Sequence, residues 1–190
     1  MMGNTAERWG SVQIGLHWLI AALILIQVPA GAAMVRASPG AWQNFLYNLH
    51  KNVGLIVFLL AVVRLGWRWA HPVPYLPADM PAWQATTARV THFVLYLLLF
   101  LMPITGFLYT TLSGFPVPFL MVWDLEKFVA VNKPLGEWFK LAHLNLRWLL
   151  FLVVALHIAG ALQHHLVRKD WVLRRMLSSK KPLLAPPAGR

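Results

Sequence analysis

Residues 141–167 read LAHLNLRWLLFLVVALHIAGALQHHLV. From Trp148 to Val167 the stretch carries no Asp, Glu, Lys or Arg. A run of ~20 such residues is the length that crosses a bilayer as a helix. The segment holds four imidazoles: His164 and His165 sit near its inner end, while His143 and His157 lie fourteen residues apart. At ~100° per residue, fourteen steps come within ~40° of four full turns, and at ~1.5 Å per residue they cover roughly 21 Å. Both rings therefore face one side of the helix, at two depths. A polar ring at membrane depth is costly unless it has a partner, so the pair needs something to hold.

The same pattern recurs through the chain. Residues 11–35 contain no charged side chain, and 52–63 are also free of them, with the apolar pattern continuing through Arg64 to Ala70. The longest such stretch is 90–123, with Pro103 and Gly106 inside it and Gly114, Pro116 and Pro118 at its end. Spans are expected at about 12–36, 51–70, 90–112 and 141–166, in one domain over 1–177, followed by a disordered basic tail at 178–190. The sequence Pro29-Ala30-Gly31-Ala32-Ala33 has the small residues of a cleavage site. The run before it exceeds a signal h-region and carries His17 and Trp18, so it reads as a retained span. Composition agrees: 58% of the 190 residues are hydrophobic and only 12% charged, against about 25% charged in soluble domains. Disorder is excluded by the hydrophobicity. The absence of Cys excludes disulfides, thiolate metal sites, iron–sulfur clusters and Cys nucleophiles. The fold class is an all-α membrane protein, a four-transmembrane-helix bundle.

The net charge of +11 comes mostly from Lys and Arg at the ends of apolar runs, which argues for membrane orientation rather than nucleic acid. With both termini cytoplasmic, the inner side holds eleven Lys and Arg and the outer side five, with Arg147 inside the fourth span. Two mixed segments, 119–131 outside and 170–176 inside, are expected to lie on the membrane surfaces as anchors.

The remaining histidines supply partners. His50 starts the second span at the outer side, level with His143. His17 starts the first span at the inner side and can meet His157; His92, at the inner start of the third span, is the rival for that place. Two cofactors on one helix, each held by two imidazoles, describe two bis-His haems in an apolar bundle interior. A lone membrane His is more often an interhelical hydrogen-bonder; four at two matched depths favour ligation. Arg64 and Arg68 share a face of the second span, and with Lys51 and Arg147 they are candidate partners for haem propionates. Gly15, Gly54 and Gly160 would let helices approach a porphyrin or one another.

An ordered set of short motifs carries a resemblance. It comprises Arg8-Trp9-Gly10 through Leu16-His17-Trp18-Leu19, Leu49-His50-Lys51 with Gly54, Arg64-Leu65-Gly66-Trp67-Arg68, and Thr91-His92 with Tyr96. It continues with His157, Ala161-Leu162-Gln163-His164-His165, Lys169-Asp170 and Leu173-Arg174-Arg175-Met176. Over about 8–177 the chain resembles bacterial cytochrome b561. The resemblance implies a multi-pass diheme b cytochrome of the bacterial inner membrane, with His17, His50, His143 and His157 as axial ligands of two haem b, and it favours His17 over His92. It also makes an oxidoreductase of the superoxide:ubiquinone type a candidate, transferring electrons between a periplasmic-side donor and ubiquinone. The expected partners are therefore the lipid bilayer, quinone and that donor. On the inner side His92, His164 or His165 could serve quinone. Two readings stand beside this one: a haem-bearing membrane anchor for a separate dehydrogenase or hydrogenase-type enzyme, and a non-redox channel or scaffold lined by histidines.

Overall fold

The computed structural model describes residues 2–178. Most of these are helical: α1 Ser11–Met34, α2 Ala41–Ala70, α3 Ala82–Leu112, α4 Lys133–Gln163 and the short α5 Arg174–Leu177. α4 runs on into a π-helical turn, His164–Arg168. Among the described residues four helices are long and apolar enough to cross a membrane. Large apolar side chains such as Leu25, Leu59, Phe93, Leu152 and Leu156 stand exposed on them. Such surfaces suit a hydrocarbon solvent, in which a helix satisfies its own backbone groups.

Three of the helices begin earlier than their apolar runs, at Ala41, Ala82 and Lys133 rather than near 51, 90 and 141. Helix start chemistry sets these ends, not hydropathy. At α4 the Asn132 Oδ1 accepts the Leu135 N–H at 3.2 Å, and Pro134 occupies the first turn, where its missing N–H is harmless. Pro81 directly precedes α3. Residues 179–190, nearly all of the expected tail, lie outside the described residues.

The chain divides into two compact units. The middle unit holds Leu19–Val62 and Tyr96–Phe151. Its core is Ile20, Val53 and Val57, with Leu23, Ile24, Leu49, Leu60 and Leu99 packed against it. Phe58 and Phe100 meet edge to face at 5.7 Å. α3 stops at Gly114, whose φ of +84° is left-handed and suits glycine.

The segment expected as a surface helix at 119–131 is instead a small hairpin with a single 3-10 turn. Strands β1 (Pro118–Phe119) and β2 (Trp123–Asp124) pair antiparallel, and the turn Leu125–Phe128 follows. Leu120 and Met121 carry the reversal with φ of 52° and 56°. Three bonds from α2 hold it. Lys51 Nζ donates to the Pro116 carbonyl at 2.6 Å, Asn52 Nδ2 donates to the Pro118 carbonyl at 3.2 Å, and the Leu120 N–H donates to Asn52 Oδ1 at 2.7 Å.

The terminal unit runs to Trp18, from Val63 to Leu95, and from Leu152 onward. Its loops are tied by specific bonds. Asn4 Oδ1 accepts the Gly10 N–H at 2.9 Å, Trp18 Nε1 donates to the Met176 carbonyl at 2.6 Å, and Arg175 donates to the Tyr75 carbonyl at 2.8 Å. Burial pulls the Arg175 guanidinium below its ordinary pKa, and Asp170 opposes the shift. The segment 170–176, expected as a surface anchor, forms only the one helical turn of α5 after Lys169 turns left-handed at φ 56°. Asp170 organises it. Its Oδ2 accepts from His164 Nδ1 at 2.6 Å and its Oδ1 from the Val172 N–H at 3.0 Å, while Arg168 bonds Asp79 at 2.7 Å.

Candidate functional site

The histidines form one cluster in each unit. In the middle unit His50 of α2 and His143 of α4 face each other, ring centroids 6.2 Å apart and planes 86° apart. Both rings are pinned from behind. His50 Nδ1 lies 3.2 Å from the Gln27 carbonyl, and Gln27 Nε2 returns a bond to the His50 carbonyl at 2.8 Å. His143 Nδ1 lies 3.0 Å from the Met102 carbonyl and 3.2 Å from Thr105 Oγ1. A carbonyl only accepts, so the Nδ1 facing it carries the proton. That leaves Nε2 of each ring with a free lone pair, the arrangement typical of metal-ligating histidine.

Two glycines make room for these rings. A Cβ at Gly31 of α1 would stand 2.8 Å from His50 Cε1, and one at Gly106 of α3 would stand 3.0 Å from His143 Cε1. Gly54 instead faces the Gln27 side chain, and a Cβ at Gly15 or Gly160 would meet nothing within 4 Å. Gln27, Thr105, Gly31 and Gly106 were not evident from spacing. A polar Gln in an uncharged span was the one available signal.

In the terminal unit His157 of α4 stands 6.0 Å from His17 of α1 and 5.3 Å from His92 of α3. Arg64 lies close enough for its charge to act on all three rings, and Arg68 acts on His92. Arg68 also sits over the Trp9 ring at 5.7 Å. Of the other expected cations, Lys51 is bonded to the Pro116 carbonyl, and Arg147 lies over the Trp148 ring at 4.9 Å while its charge reaches His143. His71 stacks on Trp67 at 4.1 Å. His164 is buried against Asp170, and the Nδ1 of its neighbour His165 has no partner among the described residues.

These separations test what the pairs can hold. An imidazole–metal bond is about 2.0–2.1 Å and the ring centre lies about 1.1 Å behind the nitrogen, so two rings trans on one metal put their centroids about 6.3 Å apart. His50–His143 at 6.2 Å and His17–His157 at 6.0 Å match this; His92–His157 at 5.3 Å is too short. Among the described residues no group of three or more His, Asp, Glu or Cys is placed to hold a bare ion. Each pair could supply two imidazole donors to a metal whose other ligands came from a macrocycle. The residues fit a metal macrocycle.

On the middle unit's surface the lysines are largely answered. Lys127 pairs with Asp124 at 2.6 Å and Lys140 with Glu137 at 3.0 Å. The bond to Asp124 raises the pKa of Lys127. Near them Tyr109, Ser113, Phe115, Lys133, Glu137 and Lys140 line a cavity of about 300 Å³.

Comparison with known proteins gives consistent matches. The family described as prokaryotic cytochrome b561 matches residues 8–179. Cytochrome b561 homolog 2 of Escherichia coli (strain K12) is 32% identical over 178 residues, covering 92% of this chain and 93% of the relative. The probable superoxide oxidase CybB of Yersinia pestis is 29% identical, covering 92% and 98%. Cytochrome b562 of Cereibacter sphaeroides is 30% identical, covering 87% and 92%.

Proposed function

Since this chain belongs to the prokaryotic cytochrome b561 family, we propose that it is a diheme member, moving electrons between a periplasmic-side donor and ubiquinone. Its family makes it a multi-pass bacterial membrane cytochrome with b-type haem and an electron-transfer role. The diheme reading rests on one observation: two histidine pairs whose ring separations, 6.2 and 6.0 Å, both suit a metal between them.

A haem iron held by two imidazoles supplies one-electron chemistry with no open site for oxygen. His50 and His143 hold one haem. The Gln27 and Met102 carbonyls fix their tautomers, and Gly31 and Gly106 allow the close approach. His17 and His157 hold the other; the separation supports His17 rather than His92. Arg64 and Arg68 offer charge to propionates there, and Arg147 does so near His143. Lys51, engaged by Pro116, is the weaker candidate.

With both termini cytoplasmic, the His50–His143 pair serves the periplasmic side of the inner membrane. Superoxide is the favoured donor, supported by the name of the Yersinia relative. Ion pairing of Lys127 and Lys140 weakens any long-range attraction of an anion. Ubiquinone is reduced near the other pair, where His92, His164 and His165 offer proton donors. A reduced-minus-oxidised spectrum with two b-type components is expected. His143→Ala and His157→Ala should each remove a different haem, and retention of both haems by each variant would refute the assignment. Quinone reduction by the isolated chain separates this reading from an anchor subunit, which needs its partner enzyme.

A further inference from the structure

We propose that the side-chain amide of Gln13 holds a carboxylate of the haem bound by His17 and His157; this rests on the diheme reading above. Gln13 lies in α1 four residues before His17, so the two share a side of the helix and stand about 6 Å apart along its axis. It is one of the most deeply buried side chains, 1% exposed. Neither its Nε2 nor its Oε1 has a hydrogen-bond partner among the described residues. The other buried amides are at least half used. Asn4 accepts from Gly10, and Gln27 donates to the His50 carbonyl. An amide buried without a partner is costly, and in a membrane span water is a poor substitute. The partner must come from a bound group.

The electrical setting selects its chemistry. α1, α2 and α3 contain no Asp or Glu, and α4 contains only Glu137, which belongs to the middle unit. Arg64 is the cation close to both His17 and His157. The acceptor that meets the Gln13 N–H is therefore brought by the ligand, and an anionic oxygen is favoured there. A propionate of the haem on His17 is such an acceptor within one helical turn. Gln13 is then a positioning residue that also sets potential. Its N–H disperses carboxylate charge near the iron, which favours the reduced state.

The test is potentiometric titration of the full-length haem protein in detergent, without quinone, following the α-band. The wave missing from His157→Ala identifies the haem of the terminal unit. In Gln13→Leu that wave should move down by about tenfold in its redox equilibrium, about 59 mV for one electron, while the other wave stays. Gln13→Glu, which brings a second negative charge, should move it further. If Gln13→Leu fails to retain that haem, Gln13→Glu decides on the same wave. Unmoved waves in both variants, or movement of the other wave, overturns the proposal. So does a change only in quinone affinity with unmoved waves, which would assign the amide to the quinone. Wild-type protein without haem would instead overturn the diheme reading itself.

Discussion

If His50 and His143 hold a haem as proposed, replacing Gly31 by alanine should selectively loosen it. The new Cβ would sit 2.8 Å from His50 Cε1 and 3.0 Å from Nδ1, whereas ordinary contact begins at 3.4 Å. The ring or the helix must yield by at least 0.2 Å (3.0 less 2.8), and by 0.6 Å (3.4 less 2.8) to reach ordinary contact. The ring cannot rotate away without lengthening its 3.2 Å bond to the Gln27 carbonyl. Metal–ligand distances tolerate only about ±0.2 Å, so a ring shift to ordinary contact would exceed what a bond to iron can absorb. Disturbing the groups that orient a ligating histidine typically costs about 10–100-fold in affinity, which is about 1.4–2.7 kcal/mol. The assay is the rate of haem transfer to a scavenging apoglobin, read at the Soret band, with haem per chain as a second measure. One haem should leave faster and the other at the wild-type rate. Gly66→Ala is the control, since a Cβ there meets nothing within 4 Å. Unchanged release of both haems from Gly31→Ala would refute the claim that glycine is there to admit the ring.

Two further outcomes follow from the described bonds. Asp170→Ala removes acceptors from His164 and Val172 and an ion-pair partner from Arg168; losing hydrogen bonds of this charged, largely buried kind should cost about 2–3 kcal/mol, seen as a lower Tm in micelles, and a change below about 0.5 kcal/mol would mean that the turn after α4 is held by other contacts. Met121 at the hairpin tip is 93% exposed and the chain has no native thiol, so Met121→Cys gives a single reporter; with both termini cytoplasmic, an impermeant maleimide added to intact spheroplasts should label it, and labelling only after lysis would invert the orientation.

The spans were legible because lipid imposes a length and a composition that few other environments ask for. Their ends were not, because Asn132 and Pro134 start α4 through hydrogen bonding that hydropathy ignores. The hairpin at Leu120 and Met121 was hidden for a related reason: neither residue announces a left-handed turn, and the conformation is sustained by Asn52 from far away in sequence. At the site, same-face spacing on α4 pointed to His143 and His157, and matched depth suggested His50 and His17 as their partners. That His157 has both His17 and His92 beside it, at 6.0 and 5.3 Å, needed coordinates. So did the acceptors behind the rings. Main-chain carbonyls such as those of Gln27 and Met102 leave no mark in a sequence, and a glycine in a span is explained as well by helix packing as by an imidazole.

The mooring of the hairpin has a consequence of its own. Lys51 and Asn52, the two residues after His50, grip the loop only through the carbonyls of Pro116 and Pro118 and the amide of Leu120. Carbonyls are common to every amino acid and the N–H to all but proline, so the tip can exchange its side chains while its anchorage stays the same. This surface can thereby be remodelled without touching the histidine next door.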